Sequence, residues 1–151
     1  MVEIGKKAPI IKALMPNGKA FDMSNLLDRK TILFFYPKNN TPNCIIEVKN
    51  FRDNYSSLKK AGFNIIGISA DSIQSHINFK KKYDLKFELL SDQDKETLIA
   101  YGVWGKKVLF GIDYIGISRR TFIIDEKGKI EHIIEKVIAK NATEQIMNLY
   151  K

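Results

Sequence analysis

The chain is nearly devoid of cysteine: Cys44 is the only one among its 151 residues. A single cysteine cannot form an internal disulfide, which excludes the disulfide-stapled secreted class, CxxC redox pairs and cysteine-rich zinc sites. Histidine is almost as scarce, and His76 and His132 lie far apart in the sequence. No metal-ligand spacing is present, so we expect no metal site and treat both histidines as surface or packing residues.

Long hydrophobic runs are also missing. Lysines interrupt the first 25 residues, which leaves no apolar segment long enough for a signal peptide. No stretch of 18 apolar residues occurs anywhere, so we expect no membrane span and a cytoplasmic location. Repeats, low-complexity tracts and linkers are absent too, and we expect one domain over residues 1–151.

Arginine is sparse, although the chain is basic. Lys and Arg number 25 against 17 Asp and Glu, for a net charge of +8, but only four of the basic residues are arginine. A lysine-rich, solvated surface explains this charge better than a nucleic-acid-binding face. A basic nucleic-acid-binding module stays open as an alternative, and a steep salt dependence of DNA or RNA affinity would be its signature.

Hydrophobic periodicity predicts alternating strands and helices. Buried strands over residues 31–36 and 63–69 flank a helix that starts near Cys44 and ends at Gly62, which makes a parallel βαβ unit. Other predicted elements are an N-terminal hairpin (10–14 with 19–23), a helix to about residue 83 capped at 71–72, a strand (87–90), a helix (92–101), a hairpin (120–125 with 129–134) and a final helix with a capping box from Asn141 to Glu144. The glycine-rich segment 102–118 is left without an element.

This order of elements is that of an α/β, thioredoxin-like fold. It has a central mixed β-sheet flanked by helices, with an N-terminal β-hairpin extension. Cys44 follows a central strand at the junction with the next helix, and open α/β sheets bind ligands beyond the carboxyl ends of their strands.

The phrase Thr41-Pro42-Asn43-Cys44 is a helix-start signal. Thr41 can serve as the N-cap by accepting a hydrogen bond from a free backbone N–H, and Pro42 suits the first helical position. Cys44 then lies three residues past the cap, where unpaired N–H groups and the helix dipole favour an anion. For cysteine that anion is the thiolate, its reactive form. Taken alone, a single cysteine is more often an inert buried residue.

Several ordered motifs resemble one enzyme family. Residues 37–44 match the Pro-x-x-x-Thr/Ser-x-x-Cys signature of peroxiredoxins. Further runs are similar to the bacterioferritin comigratory protein (peroxiredoxin Q) branch, and they lie at 51–53, 71–76, 90–92, 101–105 and 116–122. The resemblance covers nearly the whole chain.

The resemblance implies a thiol-dependent peroxidase whose residues have defined roles. Cys44 would be the peroxidatic cysteine, Thr41 would offer its hydroxyl to the thiolate and the peroxide, and Pro37 would shield the sulfur from water. Arg119 would stabilise the developing charge. Glu47 would orient that arginine from one helical turn away. The implied substrates are hydrogen peroxide and alkyl hydroperoxides, and no haem, flavin or metal cofactor is needed because the cysteine carries the redox change.

Three positions qualify the resemblance. Many members of the branch carry a resolving cysteine where this chain has Lys49, so the implied reductant is an external thiol: thioredoxin, glutaredoxin, glutathione or another chain. Asn43 replaces a glycine, and Arg120 should face away from Arg119 by strand alternation. The resemblance implies a monomer or weak homodimer. A redox sensor or holdase that uses Cys44 oxidation to control protein binding remains the main alternative.

Overall fold

A computed structural model describes residues 2–26 and 28–151. Within these residues the strands are β1 (Lys30–Phe35), β2 (Phe63–Ser69), β3 (Glu88–Ser91), β4 (Trp104–Leu109), β5 (Ile112–Ile117), β6 (Arg120–Ile124) and β7 (Ile130–Ile134). The α-helices are α1 (Pro42–Asp53), α2 (Tyr55–Lys60), α3 (Ile73–Lys82), α4 (Glu96–Ala100) and α5 (Ala142–Asn148). Short 3-10 turns cover Met23–Leu26 and Ala139–Asn141.

The central sheet has the strand order β3-β2-β1-β6-β7. The first three of these strands are parallel to one another, while β6 runs antiparallel to both β1 and β7. Strand β1 lies in the middle, and the end at which it leads into α1 is the carboxyl end of the parallel strands. The mixed sheet of the thioredoxin-like prediction is confirmed, as is the parallel pairing of its first two strands.

Alternating side chains of β1 supply two cores, one on each face of the sheet. Leu33 and Phe35 pack against the N-terminal segment and α4. Ile32 and Phe34 point to the opposite face, where they meet α1, α5 and the side chain of Cys44. Both faces are buried, which is why residues 32–35 of β1 are all apolar rather than alternating with polar residues.

The helix predicted to run from Cys44 to Gly62 is broken in two. Helix α1 ends at Asp53 and α2 begins at Tyr55. Between them, the Asn54 side-chain amide donates to the backbone carbonyl of Asn50 at 2.8 Å. The same carbonyl also accepts the backbone N–H of Asn54 at 3.1 Å, and the backbone departs from helical geometry at Asn54, with φ of −106° and ψ of 12°.

Helix α4 is shorter than the predicted helix over 92–101. The carboxylate of Asp92 accepts a hydrogen bond from the backbone N–H of Leu98 at 2.8 Å, which holds the preceding residues in a turn. Lys95 has a left-handed backbone, with φ of 65°, and the helix begins at the next residue. The Asp92 side chain therefore stabilises a loop before the helix.

The capping box predicted for the last helix is wrong. Asn141 occupies the N-cap position of α5 but makes no side-chain cap hydrogen bond. Asn50 of α1 supplies the acceptor instead, since its Oδ1 accepts from the backbone N–H and the hydroxyl of Thr143 at 2.9 and 2.6 Å. The closing helix is thus capped by the helix that carries Cys44.

Two hairpins differ from expectation. The N-terminal hairpin is reduced to one bridge, between Leu14 and Ala20. The segment 102–118 instead contains the hairpin β4–β5, whose two-residue turn has positive φ at both Phe110 and Gly111. Phe110 is 93% exposed, and further apolar side chains on this hairpin are also exposed. No helix in the described part of the chain is long and apolar enough to cross a membrane.

Candidate active site

Cys44 lies in the first turn of α1, as predicted. Thr41 has the extended backbone of an N-cap residue, and Pro42 occupies the first helical position. The Cys44 side chain is only 1% exposed and packs in the core beneath the helix, beside Tyr36 and Val48. The thiol is therefore buried at a helix N-terminus rather than displayed on the surface.

The cap predicted from Thr41 does not form. Its hydroxyl donates to the backbone carbonyl of Lys38 at 2.7 Å and accepts no hydrogen bond from the helix. The intervening turn includes Asn40 in the left-handed region, with φ of 65°, and this brings the Lys38 carbonyl within reach of the hydroxyl. Thr41 thus stabilises the loop before the helix.

Arg119 and Glu47 complete a charged group around the sulfur, which we call the charged cluster (Cys44, Glu47 and Arg119). The guanidinium Nη2 of Arg119 donates to Cys44 Sγ at 3.2 Å, and its Nη1 donates to Glu47 Oε1 at 2.6 Å. Arg119 enters from the segment just before β6, while the other two side chains share one face of α1. The geometry places a fixed cation against the cysteine.

Burial sets the electrostatics of the charged cluster. It raises the pKa of Glu47 to about 7, although the charge and hydrogen bond of Arg119 act in the opposite direction. Glu47 Oε2 has no hydrogen-bond partner in the described residues, which adds to the cost of ionising this carboxyl. Burial also lowers the pKa of Arg119, but Glu47 and Cys44 raise it by more, so the guanidinium keeps its charge.

The other residues noted in the sequence fall around this cluster. Pro37 is half-buried in the loop before α1, and Lys49 is exposed on the outer side of the helix. Asn43 lines an open cavity of about 360 Å³ together with Ile46, Arg119 and residues 137–140. This cavity gives solvent and small molecules an approach to the arginine beside the sulfur.

Two polar residues beside the site were not predicted to be functional: Asn39 was not singled out, and His76 was expected to be a surface or packing residue. Asn39 is 4% exposed and His76 is 2% exposed, and Asn39 Nδ2 lies 3.0 Å from His76 Nδ1. The pair lies where β1 and β2 end, beside the loop that leads to Cys44. Their position after adjacent parallel strands was the available signal, because such strand ends share one edge of a sheet. Among the described residues, no group of three or more His, Cys, Asp or Glu side chains is arranged to hold a metal ion.

Comparison with known proteins places this arrangement in a family. A sequence model described as the AhpC/TSA family matches residues 4–133. The chain is 46% identical over 136 residues to a putative peroxiredoxin bcp from Coxiella burnetii, covering 90% of each protein. It is 35% identical over 150 residues to peroxiredoxin Bcp from Escherichia coli K12, covering 99% of this chain and 96% of the relative.

Solved structures give the same result. The bacterioferritin comigratory protein of Xanthomonas campestris, described in work on its alkyl peroxide reduction activity, superposes with a TM-score of 0.86 at 26% identity. The match covers 97% of this chain and 96% of that one. A family match over most of the sequence, joined to a helix-start cysteine held by an arginine, makes the assignment plain. The chain belongs to the AhpC/TSA peroxiredoxin family, in its bacterioferritin comigratory protein (peroxiredoxin Q) branch, and is a thiol-dependent peroxidase.

Proposed function

We propose that Cys44 is the peroxidatic cysteine and that it reduces hydrogen peroxide and organic hydroperoxides. The observation that carries the proposal is the 3.2 Å hydrogen bond from Arg119 to the sulfur, with Glu47 holding the other arm of the guanidinium at 2.6 Å. The alkyl peroxide reduction activity named for the Xanthomonas campestris protein supports the wider substrate range.

The chemistry needs a thiolate and a place for negative charge. The Cys44 thiolate attacks the terminal oxygen of ROOH, a sulfur–oxygen bond forms, and the O–O bond breaks to give a sulfenic acid and RO⁻. The alkoxide then takes a proton from water. Arg119 stabilises the thiolate before the attack and the charge that moves onto the leaving oxygen during it. Glu47 positions the guanidinium.

Thr41 and Pro37 complete the proposed site from the loop before α1. Thr41 directs its hydroxyl to the Lys38 carbonyl in the resting protein, and its oxygen remains able to accept a hydrogen bond from the peroxide. Donation to the peroxide requires rotation of the hydroxyl. The half-buried ring of Pro37 limits access of water to the sulfur and slows its over-oxidation.

The catalytic cycle is completed by an external thiol. The sulfenic acid condenses with R′SH to give a mixed disulfide and water, and a second thiol then releases the Cys44 thiolate. Thioredoxin, glutaredoxin and glutathione are the candidate reductants, and the cytoplasm keeps such thiols reduced. We propose a monomer or weak homodimer, in which the charged cluster is complete within one chain and needs no residue of a second one.

One observation favours a second function. The exposed apolar hairpin β4–β5, with Phe110 at its tip, offers a surface for protein binding. In that alternative, Cys44 oxidation is a signal that switches a sensor or holdase rather than a step in rapid turnover. Slow recycling of a long-lived sulfenic acid would favour the switch.

Single-turnover kinetics with mass spectrometry test the proposal. Reduced protein is mixed with hydrogen peroxide or tert-butyl hydroperoxide, and the products are weighed with and without glutathione or a thioredoxin system. We expect a sulfenic acid on Cys44, a mixed disulfide when glutathione is present, and no reaction in Cys44→Ser. Equal, slow peroxide consumption by wild type and Cys44→Ser would refute the peroxidatic assignment.

A further inference from the structure

A second group of polar side chains lies behind the loop that carries Pro37 and Thr41. We call it the Asn39 cluster, and it consists of Tyr36, Asn39, Ser69, Asp71, Ser75 and His76. It joins the residues at the end of β1 to the end of β2 and the start of α3. Tyr36, Asn39, Ser69 and His76 are buried, and Asp71 and Ser75 are partly buried.

The hydrogen bonds of this cluster fit one arrangement of protons. The Asp71 carboxylate accepts from the Ser69 hydroxyl at 2.6 Å, so Ser69 Oγ can only accept from His76 Nε2, 3.3 Å away. His76 therefore carries its hydrogen on Nε2, and Nδ1 of the neutral ring is an acceptor.

The other half of the cluster fits the same arrangement. Tyr36 donates its hydroxyl hydrogen to Asn39 Oδ1 at 2.7 Å. The Asn39 amide then has two hydrogens to donate, one to Ser75 Oγ at 3.1 Å and one to His76 Nδ1 at 3.0 Å. A proton added at Nδ1 would place two donors face to face at that distance.

Asn39 is what ties the loop to the rest of the protein. Its backbone N–H donates to the Asp71 carboxylate at 2.9 Å, and its side chain makes the three contacts described above. Its neighbours Lys38 and Asn40 are exposed, and Asn40 has a left-handed backbone. The loop's conformation therefore depends on the Asn39 cluster.

We propose that Asn39 and His76 are positioning residues of the peroxidase site: the neutral His76 ring holds the Asn39 amide, and this amide fixes the loop that presents Pro37 and Thr41 to Cys44. The inference rests on the proposed roles of Pro37, Thr41 and Cys44. It adds a requirement that those roles do not contain, namely a histidine that is uncharged and protonated on Nε2.

The surroundings of the ring favour the neutral form. Burial lowers the pKa of His76, while the Asp71 charge and the backbone carbonyl of Leu90 act in the opposite direction. Tyr36, which also faces the ring, stays protonated because burial raises the pKa of its hydroxyl. Since the unfolded chain takes up this proton near pH 6.5, folded-state stability falls as the pH drops below that value toward the lowered pKa.

Histidine NMR tests the arrangement of protons directly. The chain has only two histidines, so His132→Phe leaves the ring of His76 as the single signal. We expect nitrogen shifts of the Nε2–H tautomer and titration below pH 6.5 in the reduced protein. An Nδ1–H tautomer, or titration at or above that pH, would overturn the proposal.

Kinetics test the positioning role. His76→Phe keeps an aromatic ring beside Tyr36 and removes both nitrogens. We expect its single-turnover rate with hydrogen peroxide to fall at least about tenfold, because small displacements of catalytic groups cost this much or more. Alkylation of Cys44 by iodoacetamide should change less than about threefold, since it needs the thiolate but not the placement of Pro37 and Thr41.

Two further variants make the result decisive. His132→Phe should match wild type in both reactions. Tyr36→Phe removes one hydroxyl and keeps the packing, and its peroxide rate should also fall. It provides the test if His76→Phe fails to fold. Peroxide rates within about twofold of wild type in folded His76→Phe or folded Tyr36→Phe would overturn the proposal. Failure of wild type itself to react with peroxide would instead refute the role of Cys44, whatever the histidine spectrum shows.

Discussion

The charged cluster and the Asn39 cluster both lie at the start of α1, but the first consists of charged side chains and the second mostly of neutral polar ones. In the first, Arg119 and Glu47 pair beside the sulfur, and the second oxygen of Glu47 has no partner in the described residues. In the second, a neutral ring, an amide and hydroxyls form a hydrogen-bond network that ends on one carboxylate, Asp71.

The difference follows from what each cluster has to do. Charge moves between sulfur and oxygen during the reaction, and a cation already in place stabilises that movement without reorganising. A loop that only has to stay in position gains more from short, directional hydrogen bonds between neutral groups, which avoid the desolvation cost of buried charge. We therefore expect the charged cluster to set the rate directly, and the Asn39 cluster to affect the rate through the position of the loop.

Replacing Arg119 should have the largest effect. Arg119→Ala removes the donor to Cys44 and leaves Glu47 buried without its partner, so we expect the single-turnover peroxide rate to fall by about 10²–10³, typical of a lost transition-state donor. Arg119→Lys should recover only part of this, because an ammonium cannot reach both Sγ and Glu47 as the planar fork does.

Arg120→Lys is the matched control for that experiment. Arg120 is the first residue of β6, opposite Phe35, and should face away from the sulfur. A stopped-flow measurement of all three variants decides the point. A peroxide rate in Arg119→Lys equal to that of Arg120→Lys and wild type would mean that the retained positive charge is sufficient and that the planar fork beside Cys44 is not required.

Glu47 offers a test through pH. Its folded-state pKa of about 7 lies above the ordinary value of 4.5, so the protonated form stabilises the fold and that stabilisation is lost as the pH rises through 7. This difference in pKa corresponds to as much as about 3 kcal/mol. Urea unfolding of the reduced proteins between pH 4.5 and 8 should show wild type losing stability relative to Glu47→Gln as the pH rises, because the contribution of His76 is common to both.

The exposed Glu144→Gln variant controls for removing a negative charge from a basic protein. It should keep the wild-type decline with pH. If the unfolding free energy of Glu47→Gln declines with pH as steeply as that of wild type, the buried carboxyl is not the group responsible. The electrostatic difference between the two clusters would then have no support.

Much of the fold could be predicted from the sequence, because the local hydrophobic pattern of most strands agrees with their burial in the folded protein. The apolar run Phe63–Ser69 is a strand buried on both faces, and the predicted limits are those of β2. The hairpin β4–β5 was missed because its glycines read as a loop. Its turn also places Phe110 at positive φ, where asparagine or glycine is the usual signal.

The candidate site divides in the same way. The helix start at Cys44 could be predicted because consecutive residues encode it. Arg119 and Glu47 were predicted only through the family resemblance. Asn39 and His76 are 37 positions apart, and their hydrogen bond exists only because β1 and β2 are neighbours in the sheet. The cap predicted for Thr41 did not form: its hydroxyl donates to the carbonyl of Lys38, and its oxygen accepts no hydrogen bond from the helix.

The smallest expected effect tests whether the two clusters are independent. Ser75→Ala removes one acceptor of the Asn39 amide and should cost about 1 kcal/mol of unfolding free energy, the usual net value of a hydrogen bond. No hydrogen bond or ion pair of the described residues joins Ser75 or Asn39 to Glu47 or Arg119. Ser75→Ala and Glu47→Gln should therefore add within about 0.5 kcal/mol in the double variant. A larger coupling, measured by urea unfolding at one pH, would show that the start of α1 transmits strain between the clusters and that charge and geometry are not separately controlled at Cys44.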